Sequence, residues 1–112
     1  MTNEARVFVC TVSDIDLDDI RQFDHSGKTY AIYRTEDNNF HATDGLCTHE
    51  EVALADGLLD GFIIECPRHN GLFDIRTGEA LRAPACEHLK TYKLSIEEGE
   101  IFLHLAPANG AA

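Results

Sequence analysis

The sequence predicts an all-β domain, a barrel or sandwich of antiparallel strands, and three observations carry that reading. Strand-like runs are short and recur along the chain, turn chemistry separates them at roughly regular spacing, and only one segment has helical character. The runs are 7–12, 28–34, 39–42, 62–65, 72–75, 89–96 and 101–105. In the first, Val7 and Val9 alternate as a half-buried strand requires; in 89–96, L-K-T-Y-K-L-S-I, the alternation is partial. The separators D-H-S-G-K, E-D-N-N, R-T-G-E and E-E-G-E place Gly, Asn and Asp where tight turns need them. Glu97, Glu98 and Glu100 around Gly99 read as a solvated hairpin turn.

The helix-like piece is 13–20, S-D-I-D-L-D-D-I, expected as a helical turn or two with Ser13 as its cap and Asp14 and Asp16 in the first turn. Its acidic face reads as solvated surface. Between residues 50 and 65, Gly57 and Gly61 cut an otherwise helix-compatible stretch into short pieces, which excludes a long helix.

At 112 residues the chain is read as a single domain over 1–105, followed by a frayed tail at 106–112, A-P-A-N-G-A-A. No apolar run approaches the roughly 18 residues of a membrane span. The start, M-T-N-E-A-R-V, has no apolar signal core, so a cytoplasmic location is expected. A net charge of −11 argues against nucleic acid and anionic membranes; it is compatible with docking to basic patches on protein partners and equally with keeping a small domain from self-associating. Four cysteines without a signal segment favour metal or free thiol over a disulfide framework.

Two of those cysteines belong to a matched pair of Cys/His motifs. Cys47 and His49 stand in C-T-H, Cys66 and His69 in C-P-R-H, with sixteen residues between the pairs. Soft thiolates and imidazoles at such spacing are a metal-ligand pattern, open to a mixed Cys/His iron–sulfur centre or to tetrahedral zinc. Gly45 before the first pair, and Gly71 and Gly78 after the second, suit loops that turn sharply and approach a cofactor closely. Cys10 reads as a small buried thiol and Cys86, despite His88 two residues on, as a loop residue, because no further ligands are suitably spaced. His25, His41 and His104 read as surface or structural histidines.

The run C47-T-H49, sixteen residues, then C66-P-R-H69-N-G-L-F-D resembles the Rieske iron–sulfur proteins, most closely the small ferredoxins of bacterial multicomponent oxygenases of the aromatic-ring-hydroxylating type. The resemblance implies antiparallel β-sheets, three in the family, with two cluster-binding loops at one tip, here about 44–50 and 65–74. It also implies one [2Fe-2S] cluster, with Cys47 and Cys66 on one iron and His49 and His69 on the other. Two ferric ions, two sulfides, two thiolates and two neutral imidazoles sum to zero charge. An electron therefore enters more easily than into an all-cysteine cluster. Pro67 would fix the second loop, and Pro84, within 82–89, falls where the family packs a proline-containing loop over the cluster.

Departures from respiratory Rieske proteins are equally informative. Their loop cysteines correspond to Val52 and Arg68, so no loop disulfide is expected; their Ser and Tyr hydroxyl donors correspond to Gly71 and Phe73. Each missing charge-assisted bond is worth roughly 1.5–3 kcal/mol, and about 1.4 kcal/mol is roughly 60 mV for one electron. A potential in the lower part of the roughly −150 to +300 mV range is expected. The resemblance thus implies a non-enzymatic one-electron carrier between an NAD(P)H-dependent flavin reductase and a terminal Rieske oxygenase. A terminal oxygenase would need a further mononuclear iron domain, for which 112 residues leave no room. The rivals are a Rieske-like small subunit of a nitrite reductase and a structural zinc module.

Overall fold

A central strand buried on both faces organises the chain. In the computed structural model, which describes residues 5–48, 52–68, 70–82 and 87–105, the segment K-T-Y-A-I-Y-R forms β3 (Lys28–Arg34). Its alternate side chains enter different cores. Tyr30 and Ile32 join Cys10, Ile15, Ala42, Ile101 and Leu103 on one face. Ala31 and Tyr33 join Cys47, Leu54, Ile64, Cys66, Phe73, Ile75 and Leu89 on the other. Period-two alternation therefore makes β3 the wall between a scaffold core and a second core that contains both candidate cysteine ligands.

The larger sheet has the order β1-β10-β9-β4-β3-β2, where β1 is Ala5–Thr11, β2 Asp19–His25, β4 Phe40–Asp44, β9 Thr91–Glu97 and β10 Glu100–Leu105. Its two halves are in register across β4 and β9 at just Ala42↔Tyr92 and Thr43↔Thr91, so it is built as two three-stranded sheets joined at β4 and β9. The smaller sheet runs β5-β6-β7-β8, with β5 Leu58–Asp60, β6 Ile63–Glu65, β7 Leu72–Asp74 and β8 Ala80–Arg82. All pairings are antiparallel, as the turn-separated runs predicted. Two hairpins close with both central residues left-handed, Ser26–Gly27 (φ 51° and 79°) and Glu98–Gly99 (φ 52° and 79°), the geometry that matches strand twist.

The helix-like piece at 13–20 is corrected. Only Val12–Asp14 forms a 3-10 turn, and Thr11 rather than Ser13 closes it, its N–H and Oγ1 both donating to Asp14 Oδ2 at 3.0 Å. Ile15 is buried while Leu17 is half exposed, and Asp18 turns left-handed (φ 62°), which ends any helix before β2 begins at Asp19. The strands β2, β5 and β8 lie outside the runs read from the sequence, and the tail at 106–112 lies outside the described residues.

Buried polar groups on β3 and β4 link these neighbouring strands, and His41 packs toward the second loop region. Thr43 Oγ1 donates to the Asp44 carbonyl at 2.8 Å, so in its 2.9 Å contact with Tyr33 the phenol is the donor, and burial pushes that phenol's pKa up. His41 on β4 packs edge-on against Phe62 (centroids 5.9 Å apart), with its Nε2 buried and lacking a hydrogen-bond partner among the described residues. Burial holds the imidazole below its ordinary pKa, aided by Arg76 and opposed by Asp37 and Asp74. The native state therefore resists a proton that the unfolded chain accepts near pH 6.5. Stability from His41 is full above that pH and is lost as pH falls below it. Thermal unfolding from pH 7.5 to 5 should show a drop in Tm that His41→Phe reduces; equal drops in both proteins would refute this role.

Candidate metal centre

Both candidate cysteines begin a loop that closes in the same way. The Cys47 N–H donates to the Val52 carbonyl at 2.9 Å, and the Cys66 N–H to the Gly71 carbonyl at 2.8 Å, each five residues on. Cys47 is 4% and Cys66 2% exposed, and both lie in the core cluster with Tyr33, Leu54 and Phe73. Two buried sulfurs at the mouths of matching loops are a donor set for a soft metal and fit the cysteine half of a mixed centre. His49 and His69 lie outside the described residues, as do Pro84 and Cys86.

The first loop leaves β4 through a crowded junction. Gly45 N–H donates to the Thr29 carbonyl and Gly45 C=O accepts from Leu54 N–H, both at 2.9 Å, and a Cβ on Gly45 would stand 2.7 Å from Thr29 Cγ2. Just before it, Asp44 accepts from the Tyr92 hydroxyl at 2.5 Å and pairs with Lys28 at 3.2 Å. Burial and the adjacent Asp44 carboxylate push the Tyr92 phenol's pKa up, so Tyr92 remains a donor. Thr48, between Cys47 and His49, donates through Oγ1 to the Glu87 carbonyl at 2.8 Å.

The second loop emerges from β6 and returns into β7. Pro67 is exposed and sets the turn; Asn70 is left-handed at φ 58°. Its carbonyl accepts from Arg82 Nε at 3.2 Å and Nη2 at 2.7 Å. Phe73 is fully buried in the same core cluster as the two cysteines and offers them no hydroxyl. Asp74 ends β7, its carboxylate held below the usual range by the Arg76 guanidinium and backbone N–H. Sequence reasoning missed Asp44, Tyr92, Thr48, Asn70 and Arg82 as supports of the loops. Their partners are distant in sequence or are backbone carbonyls, and neither leaves a local motif.

The cysteine and histidines outside the two loops that the structure describes have other roles. Cys10 is a buried free thiol whose pKa burial raises, His104 Nε2 bonds Ser95 Oγ at 2.7 Å, and exposed His88 accepts the Ala80 N–H through Nδ1 at 3.0 Å. Among the described residues no group of three or more His, Cys, Asp and Glu side chains could hold a metal.

Comparisons with known proteins agree with this layout. Residues 5–93 match the model of the Rieske [2Fe-2S] domain. The ferredoxin component of the naphthalene 1,2-dioxygenase system of Pseudomonas putida is 42% identical over 95 residues, covering 85% of this chain and 90% of that protein. The ferredoxin in a solved complex of reduced oxygenase and oxidized ferredoxin of carbazole 1,9a-dioxygenase superposes with a TM-score of 0.82 at 36% identity, covering 87% of this chain and 99% of the other. A putative nitrite reductase small subunit from Mycobacterium tuberculosis superposes with a TM-score of 0.83 over 94% of this chain and 98% of its own, but at 15% identity, and so shares the fold alone.

The strand that delivers Cys66 is the sensitive point. A Cβ at Gly57 would lie 2.1 Å from the Glu65 carbonyl oxygen, whereas one at Gly61 meets nothing within 4 Å. Gly57→Ala should cut the metal bound per purified chain severalfold. Gly61→Ala, which pays only the left-handed penalty of about 1–2 kcal/mol, should load normally with a lower Tm. Equal loading of both variants would show that the Gly57 contact does not position the loop.

Proposed function

Because this chain belongs to the Rieske [2Fe-2S] domain family, we propose that it is a ferredoxin of a multicomponent aromatic-ring oxygenase system. It takes single electrons from an NAD(P)H-dependent flavin reductase, passes them to a terminal Rieske oxygenase, and performs no substrate chemistry itself. Cys47 and Cys66 hold one iron, His49 and His69 the other, and the [2Fe-2S] cluster supplies a site that gains and releases one electron. The observation that carries the reading is the pair of buried cysteines closed by matching backbone bonds, each followed in sequence by a histidine two or three residues on.

The residues around the thiols support a low potential. Arg68 and Val52 rule out a loop disulfide, and Gly71 and Phe73 offer no side-chain hydroxyl to cluster sulfur or thiolate. The net charge of −11 favours basic docking faces on both partners. The cytoplasm, whose reducing conditions preserve thiols, is the compartment that suits Cys10 and Cys47. The nitrite reductase small-subunit reading draws on fold likeness at 15% identity and has no further support.

Purified protein should be red-brown, with two irons and two acid-labile sulfides per chain and a low average g-value when reduced. Its midpoint should lie below about +150 mV. Colourless protein with one zinc would overturn the reading. His69→Cys should keep its iron while the midpoint falls toward the roughly −400 mV of all-cysteine clusters; an unchanged midpoint would remove His69 from the ligand set.

A further inference from the structure

Each candidate ligand loop is held by a hydrogen bond to a residue distant in sequence, one on β8 and one at Glu87. On one side Arg82, the last residue of β8, sends Nε and Nη2 to a single oxygen, the Asn70 carbonyl, at 3.2 and 2.7 Å. On the other, Thr48 Oγ1 donates to the Glu87 carbonyl at 2.8 Å. Close by, Leu89 N–H donates to the Gly78 carbonyl at 2.7 Å and Ala80 N–H to His88 Nδ1 at 3.0 Å.

The two ties differ in chemistry. Thr48 offers a neutral hydroxyl, whereas Arg82 offers a permanently charged planar group. Asn70 directly follows His69, and its left-handed backbone (φ 58°) sits one residue before Gly71, whose carbonyl closes the loop on Cys66 N–H. The guanidinium therefore grips the loop between the two points that must stay fixed if His69 and Cys66 are to hold their geometry. It also sets a positive charge at that loop in a chain with 9 Lys and Arg against 20 Asp and Glu.

We propose that Arg82 is a positioning residue for the second ligand loop and that its charge raises the electron affinity of the centre. The inference rests on the ferredoxin reading above. Reduction adds one negative charge, so a cation fixed on the second ligand loop at Asn70 stabilises the reduced form. Because Arg82 is exposed, its effect is screened as ionic strength rises.

The test compares Arg82→Lys and Arg82→Gln with wild type in the full chain, by voltammetry at low and high salt and by the rate of iron loss to a chelator. Arg82→Gln should weaken electron affinity about three- to tenfold, lowering the midpoint by about 30–60 mV at 59 mV per decade, and the difference should shrink in high salt. Arg82→Lys keeps the charge but loses the two-point grip; its midpoint should match wild type while iron is lost several times faster. A wild-type midpoint in Arg82→Gln, or equal shifts in both variants, would overturn the proposal. If Arg82→Gln does not load, Arg82→Lys decides alone, since iron loss at the wild-type rate would equally overturn it. Failure of wild type to bind two irons and two sulfides would instead refute the ferredoxin reading.

Discussion

The backbone bond from each candidate cysteine to the carbonyl five residues on is the constraint from which the site follows. A sulfur ligand must be held without its backbone being free to turn, and burying the residue alone does not achieve this. Tying the N–H of Cys47 to Val52 and that of Cys66 to Gly71 fixes the cysteine's own peptide and leaves the intervening residues to form the loop. The same bonds satisfy two N–H groups that burial would otherwise leave without water. With both cysteines in one core beside Phe73 and Tyr33, the rigidity of packed side chains passes directly to the sulfurs.

That core can sit at the site because β3 separates it from the scaffold. Tyr30 and Ile32 support the β4–β9 junction and the terminal strands, while Ala31 and Tyr33 support the ligand loops. A single seven-residue strand thus does the work of two, and a chain of 112 residues builds both a scaffold core and a ligand-bearing core. The Tyr33 to Thr43 bond is the polar counterpart of this arrangement. It links β3 to β4 just before Asp44 and Gly45, where the chain leaves the sheet for the first loop.

What the sequence made legible follows from how local each signal is. Cys47, His49, Cys66 and His69 declare themselves because ligand spacing is set within a few residues, and the Ser26–Gly27 and Glu98–Gly99 hairpins because turn chemistry is. The strand β2 was hidden because its first residues, Asp19 and Ile20, follow a cap-like Ser13 and the aspartates at 14 and 16, which favour a helical turn; the left-handed Asp18 ends any such turn before β2 begins. Strands β5 and β8 are three residues long at the edges of their sheet, too short for periodicity to register. The ties from Arg82 to Asn70 and from Thr48 to Glu87 join residues 12 and 39 positions apart, which no window along the chain could connect.

The charge of the protein then acts at two ranges. At physiological salt, fields decay over about 8 Å, so the net −11 governs encounter with a partner and contributes little at a given point in the interior. The electron affinity of the centre answers instead to nearby groups, and Phe73, apolar and buried in the core that holds both cysteines, and Arg82, whose guanidinium holds the Asn70 carbonyl, are the ones that bear on it. An acidic surface and a locally cationic loop are therefore compatible. The first acts at long range on encounter and the second acts on the centre itself, so either can change in sequence while the other stays as it is.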